Sequence, residues 1–244
     1  IEGNTYSLID TEILIKDSID KLTLNNRNSW KEYWISHFKG KKGQKLIYLL
    51  RTKLIARSVR YFINSYFKDS GIFVEMGSGS SQTSVLIRKK SRLLYCLDFA
   101  FEPLVHARLI PVIDGGIQSD LFHLPFRSDS VDGIWNLGVM EHFTDEEINK
   151  ILKEFNRVLK HGAYAILFWP PYFGWYKLTS LVLEKILGII KRRCVKLYPD
   201  EINLLVSKKK IQSFCEMNGF TLGYCRSVPL DLFTYTVVII RKYI

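Results

Sequence analysis

The strongest constraint on this chain is the rhythm that starts at Gly71. From there to Gly162 short apolar runs alternate with segments of helical spacing. Residues 72–76, 93–97, 112–118, 131–137 and 163–169 read as strands, because each is brief, apolar and bounded by turn formers. Residues 85–90 and 101–109 read as short helices between them, with Pro103 in a first turn. The next helix is the clearest element. Thr144 and Glu147 form a capping box, and Ile148, Ile151, Leu152, Phe155, Val158 and Leu159 share one face until Gly162 stops it. Strands that alternate with helices demand crossovers, and so a mostly parallel sheet with helices on both faces.

Pro170-Pro171 ends the fifth strand, and an apolar, aromatic stretch over 172–206 breaks the rhythm. Ser207 then caps a helix that ends at Gly219. Residues 220–226 and 233–240 have no helix between them and are expected to pair antiparallel. The fold class is therefore α/β: a doubly wound, mostly parallel, seven-stranded Rossmann-like sheet with an antiparallel C-terminal strand pair and added N-terminal helices. Residues 1–43 are polar and poorly periodic apart from Trp30, Tyr33, Trp34 and Phe38, whereas 44–67 carry helical spacing. This predicts an N-terminal helical lid or extension over 1–68 and a ligand-binding domain over 69–244 with a cap insert at about 172–206.

In such sheets ligands bind beyond the carboxyl ends of the strands, where the strand order reverses. The first strand runs into Glu75-Met76-Gly77-Ser78-Gly79-Ser80-Ser81. Its glycines let the backbone turn sharply and let a ligand approach without a Cβ in the way. Asp98 ends the second strand about 20 residues later, where a carboxylate can accept ribose hydroxyls. A nucleoside-containing ligand fits this spacing. A dinucleotide fits poorly, because Gln82 stands where its fingerprint wants Gly or Ala, and the Gly-Lys-Ser/Thr of a phosphate loop is absent.

Downstream, Asp120-Leu121-Phe122-His123-Leu124-Pro125-Phe126 leads through Ser128-Asp129-Ser130-Val131-Asp132-Gly133-Ile134-Trp135 to Asn136-Leu137-Gly138-Val139-Met140-Glu141-His142-Phe143. With the glycine loop and Asp98 ahead of it, this series resembles the small-molecule (type 11-like) branch of class I S-adenosylmethionine-dependent methyltransferases, over about residues 71–162. The resemblance implies S-adenosylmethionine as cofactor and a role for each matching residue. Glu75 would help hold the methionine ammonium. Gly77, Ser78 and Gly79 would line its methionine and ribose side, and Asn136 and Leu137 would lie under the methionine. Asp98 would bind the ribose hydroxyls and Phe99 would pack on the adenine. Asp120 would accept from the adenine amino group, with Leu121 beside it. Ser81 stands where the family often has a third glycine. The cofactor carries a sulfonium, an ammonium and a carboxylate. Strand-end acids suit the cations, and N–H groups opening the next helix suit the carboxylate.

Methyl transfer needs alignment and a dry site, and a base only where the acceptor must lose a proton. His142 is the candidate base, since imidazole titrates near neutrality, and Glu141 the candidate substrate-positioning acid. The Glu-His pair also resembles the matching segment of lipid-modifying cyclopropane synthases. The aromatic run from Pro170 to Tyr176 follows the fifth strand, where this fold builds a substrate wall, and predicts a small hydrophobic or aromatic acceptor. Trp30, Tyr33 and Trp34 are read either as a lid over the cofactor or as simple packing. Asp132 reads as structural, and His37, His106, His123 and His161 as surface or packing residues.

The net charge of +11 invites a nucleic-acid partner, but the basic residues are dispersed, and an Asn-Pro-Pro-Tyr base-reading motif is replaced by Asn136-Leu137-Gly138-Val139. RNA or protein methylation and non-catalytic cofactor binding remain as rivals. Residues 178–190 are too short to span a bilayer, though with Lys191-Arg192-Arg193 they could rest on an anionic membrane surface. Four cysteines without paired spacing suggest a reduced cytoplasmic setting and no metal site.

Overall fold

The computed structural model describes residues 6–9, 13–16, 30, 33–34, 48–172, 202–205 and 207–244. Expectations for Phe38, for 173–201 including the apolar stretch 178–190, and for Lys191-Arg192-Arg193 lie outside the described residues.

The strands are β1 (Tyr6–Ile9), β2 (Ile13–Lys16), β3 (Ser70–Met76), β4 (Ser91–Asp98), β5 (Gly115–Gln118), β6 (Val131–Leu137), β7 (Leu159–Trp169), β8 (Phe220–Ser227) and β9 (Thr236–Lys242). They form a single sheet in the order β1-β2-β5-β4-β3-β6-β7-β9-β8. Strands β3 to β7 are parallel, and β9 runs antiparallel between β7 and β8. The seven-stranded, doubly wound expectation therefore holds for β3 to β9. Beyond it, β1 and β2 pair antiparallel, and β2 joins β5 in parallel at the sheet edge. The N-terminal extension thus contributes a hairpin as well as helix, because strands of four residues are too short to impose a period on a polar stretch.

The helices are α1 (Ala56–Tyr66), α2 (Phe101–Ala107), α3 (Asp145–Val158) and α4 (Lys208–Met217). A π-helical turn, Leu50–Ile55, leads into α1. Two cores flank the sheet. Val59, Phe62 and Ile63 of α1 and Leu104 and Ala107 of α2 pack against Phe73, Leu94, Trp135, Phe168 and Ile239. Ile148, Ile151, Leu152, Phe155 and Val158 of α3 and Ile211 and Phe214 of α4 pack against Val74, Ile134, Ala165 and Val238 on the other face. Each large apolar side chain so buried contributes roughly 1.5–3 kcal/mol. The Thr144–Glu147 capping box is present in both directions. Asp132 has the structural role expected of it: Oδ2 accepts from Ile72 N at 2.9 Å and both oxygens accept from Lys160 Nζ at 2.8 Å, tying β3, β6 and β7.

Two expectations are corrected. Residues 85–90 form no α-helix: a 3-10 turn, Gln82–Ser84, follows Ser81, whose φ of 51° is left-handed. Ser84 N donates to Ser81 O and Ile87 N to Ser84 O, both at 3.0 Å, so the link from Met76 to Ser91 closes three-residue turns in place of an α-helical ladder. Gly162 does not stop α3. That helix ends at Val158 and β7 begins at once, while Gly162, at φ 72°, lies where β7 shifts register against β6. Below the link from Met76 to Ser91 sits Arg92, only 1% exposed, donating to the carbonyls of Phe67, Lys68 and Arg88 and to Asn64 Oδ1. Among the described residues no helix is long and apolar enough to cross a membrane.

Candidate functional site

Strand order reverses between β3 and β6, and every expected site residue lies at the carboxyl ends of β3 to β6 or just beyond. Glu75 is 2% exposed, and its Oε2 accepts from Ser84 Oγ at 2.8 Å. Burial pushes this carboxyl up to about 7 in spite of that hydroxyl. Gly77 and Gly79 take positive φ of 64° and 51°. A Cβ at Gly77 would lie 2.8 Å from Val139 Cγ2, and one at Gly79 would lie 2.5 Å from the Trp34 ring. The loop is therefore glycine for conformation and for space. Ser78 N donates to Leu97 O at 2.9 Å, which ties the loop to β4.

Asp98 is 5% exposed and accepts from Gly79 N at 2.8 Å through Oδ2 and from Ala100 N at 2.9 Å through Oδ1. Burial pushes its carboxyl up to about 6 against these N–H groups. Phe99 follows it, half-buried, its carbonyl held by Gln118 Nε2 at 3.0 Å. Asp120 Oδ1 accepts from Phe122 N and His123 N at 2.9 and 2.8 Å, which closes a tight turn, and Leu121 is buried beside it. Asn136 is wholly buried, and among the described residues neither its Oδ1 nor its Nδ2 has a hydrogen-bond partner. A buried amide without partners costs on the order of 1–3 kcal/mol, so a ligand that supplies both a donor and an acceptor would recover much of that. The Leu137 side chain packs into the α1-side core, so only its backbone stays with Asn136 at the strand end.

Glu141 and His142 lie in a 3-10 turn, Met140–His142, directly after Gly138. They are 3% and 7% exposed, with Glu141 Oε1 3.7 Å from His142 Nε2. The Trp30 ring meets the His142 ring edge-on at 4.9 Å, and Trp30 also stacks on Trp34. The N-terminal aromatic cluster is thus in contact with both the glycine loop and the catalytic candidate. Two site residues escaped the sequence reading. Tyr235 Oη and Glu141 Oε1 would both lie within 3.4 Å of a Cβ at Gly138, so the β8–β9 loop reaches the Glu141 turn. Ser84 holds Glu75. Only the run of hydroxyls from Ser78 to Ser84 hinted at the second, and nothing hinted at the first. The cap insert returns here as well: Ile202 N and Asn203 N both donate to Glu141 O, at 2.8 and 2.9 Å, and Trp169 Nε1 donates to Asn203 O at 2.7 Å. Among the described residues no cluster of His, Cys, Asp or Glu could hold a metal ion.

The loss of the helix after β3 also removes the helix N-terminus expected to face the cofactor carboxylate, because a three-residue 3-10 turn has little dipole. Of the loop's own N–H groups, those of Ser78, Gly79 and Ser81 are already given to Leu97 O, Asp98 Oδ2 and Ser78 O. In other respects the residues fit a cationic nucleoside. Two buried carboxylates face one glycine loop, and ionisation of each is held back by burial first and by a neighbouring carboxylate second (Asp98 for Glu75, Glu102 for Asp98), both of which a nearby cation would offset.

Comparison with known proteins agrees. Residues 74–167 match the family described as "Methyltransferase domain". Among curated proteins none matches the chain. Among solved structures the chain is similar to magnesium protoporphyrin IX methyltransferase from Synechocystis PCC 6803 with bound SAH, at 17% identity and TM-score 0.61, over 91% of this chain and 100% of that one. It is also similar to a SAM-dependent methyltransferase from Methanosarcina mazei, at 18% identity and TM-score 0.55, over 75% and 97% of the two chains. Geranyl diphosphate C-methyltransferase from Streptomyces coelicolor A3(2) aligns at 12% identity and TM-score 0.52, over 76% and 75%. Identities this low show a shared fold. Residues 74–167 thus carry a methyltransferase domain, and the fold around it is that of S-adenosylmethionine-dependent methyltransferases, whose methyl donor its strand-end acids fit.

Proposed function

We propose that the enzyme methylates a small hydrophobic or aromatic acceptor seated between the Glu141–His142 turn and the N-terminal aromatic cluster. One observation carries this reading: His142 is almost wholly buried, beside Glu141, with the Trp30 ring against it at 4.9 Å. An imidazole walled by indole suits an acceptor with an apolar body and one polar atom. The structural neighbours named for a porphyrin and for a geranyl diphosphate take acceptors with large apolar bodies, which supports the class.

The bound cofactor supplies a methyl group activated on a sulfonium. The residues of the chain supply the rest. Asp98 holds the ribose hydroxyls and the backbone from Gly77 to Gly79 takes the methionine end. Asp120 takes the adenine amino group, flanked by Phe99 and Leu121. Asn136 gives its amide to the methionine part, and Glu75 sets the charge beneath the loop. Trp34 covers Gly79 and, with Trp30 and Tyr33, excludes water. His142 accepts the proton of a hydroxyl acceptor while Glu141 positions it. The C-terminal end of the insert is held at the Glu141 carbonyl by Ile202 N and Asn203 N.

The test is turnover of labelled S-adenosylmethionine against a panel of phenols, catechols and isoprenoid alcohols. His142→Ala should lower kcat about 10²–10⁴-fold and remove the acid limb of the pH profile, with the protein still folded. Full turnover in that variant removes His142 as the base.

A further inference from the structure

Residues Glu154 and Arg157 lie on the last turns of α3, away from every group assigned above. Arg157 Nε and Nη2 donate to the two oxygens of Glu154 at 2.7 and 2.8 Å, a side-by-side fork. Both members then reach across to the loop after β5. Glu154 Oε2 accepts from Leu124 N at 2.8 Å. Arg157 Nη2 donates to Leu124 O at 2.9 Å and Nη1 to Phe126 O at 2.8 Å. Pro125 has no N–H to give, so the pair engages the backbone on either side of it. The backbone continues the grip, with Asp129 N on Arg157 O at 2.9 Å and Ser130 N on Val158 O at 2.9 Å. Burial pushes the Glu154 carboxyl up, but the Arg157 guanidinium and the Leu124 N–H outweigh it and hold it below the usual range.

A surface pair would gain little from such an arrangement, since exposed ion pairs are worth about 0–1 kcal/mol. This pair spends its donors and acceptor on main chain instead. The chain it grips is the continuation of the Asp120 turn. Asp120 Oδ1 fixes Phe122 and His123 locally, Ser119 Oγ donates to His123 O at 3.1 Å, and Leu124 comes next. At its near end the turn is tied to β4 by Ser119 N on Asp98 O at 3.0 Å, and at its far end it is held from α3 by Glu154 and Arg157.

We infer that Glu154 and Arg157 are positioning residues for cofactor recognition: they anchor the Leu124–Phe126 loop and so aim Asp120 at the adenine amino group. This rests on the proposed role of Asp120, and the test separates the two. Calorimetric titration of the purified enzyme with S-adenosylhomocysteine and with its inosine counterpart, in which a carbonyl replaces the adenine amino group, reads how well that group is recognised. The wild type should prefer the adenine ligand by about tenfold or more, the worth of one charge-assisted hydrogen bond. Arg157→Gln should cut that preference to about two- or threefold by weakening the adenine ligand alone, and Arg157→Lys, which keeps the charge but not the fork, should fall between. A merely structural role would weaken both ligands together and leave the preference unchanged, and that result in Arg157→Lys, or in a folded Arg157→Gln, overturns the inference. Asp120→Asn keeps the turn-forming oxygen and changes the other. If it retains the wild-type preference, the Asp120 assignment itself fails. If it loses the preference while both Arg157 variants keep it, only the anchoring role fails.

Discussion

Replacing Asp98 by Asn should separate folding from cofactor binding, and the structure supplies the terms. Asp98 is 5% exposed and its carboxyl is pushed up to about 6 by burial. A rise of about two pKa units means that the ionised form costs the folded state ~3 kcal/mol at neutral pH. The sign follows from linkage: a carboxylate raised in the folded state favours folding at low pH, and that advantage is lost as pH climbs from about 4 through 6. A neutral amide removes the cost. Against this, Asp98 accepts from Gly79 N and Ala100 N through different oxygens, and an amide offers only one. One buried N–H is left facing a donor, at about 1–3 kcal/mol. The two effects nearly cancel, so the melting temperature should stay within about 5 °C of wild type. Binding has no such compensation. Two charge-assisted bonds to ribose hydroxyls, at about 1.5–3 kcal/mol each, amount to a 10²–10⁴-fold rise in Kd. Calorimetry with S-adenosylhomocysteine and a thermal melt without it read both quantities. Wild-type affinity in Asp98→Asn would refute the ribose assignment. A fall of more than 10 °C in the melt would show that the carboxylate serves the fold before the ligand.

The ligand-free enzyme should become less stable as pH rises from 5 to 8, because Glu75, Asp98 and Asp231 are raised by burial to about 7, 6 and 6 and the folded state binds more protons than the unfolded one across that window. Urea midpoints that rise with pH over this range would contradict it. Arg92→Met should cost ~3–5 kcal/mol in chemical denaturation, since it strands the carbonyls of Phe67, Lys68 and Arg88 together with Asn64 in a site where the side chain is 1% exposed. A loss under about 1 kcal/mol would mean that water or neighbours satisfy those groups.

What could be read from the sequence followed the length and regularity of each element. β6 matches its expected bounds and α3 its expected start, because Val131 to Leu137 is a largely apolar run and Thr144 and Glu147 mark a helix start that needs no tertiary help. Val85, Leu86 and Ile87 imitate a helix face, yet after the left-handed Ser81 that segment closes only 3-10 and isolated turns. Gly162 looked like a helix stop because glycine is favoured there, but the same freedom serves an irregular strand. The β1–β2 hairpin gave no period to read. In the candidate site, the strand-end acids and glycines were legible because their spacing is set by local geometry. Tyr235 was not, since its approach to Gly138 depends on how the last hairpin packs, and no local pattern encodes that.

The two N–H groups of Ile202 and Asn203 that converge on the Glu141 carbonyl act as a clasp on the carboxyl side of the insert. Pro171 and Leu205 bridge at its base, Leu205 N meets Pro170 O, and the Trp169 indole holds Asn203 from below. The backbone that carries Glu141 and His142 is therefore tied to both flanks of the insert, so a change at Trp169, Ile202 or Asn203 would reach that turn through hydrogen bonds to main-chain carbonyls.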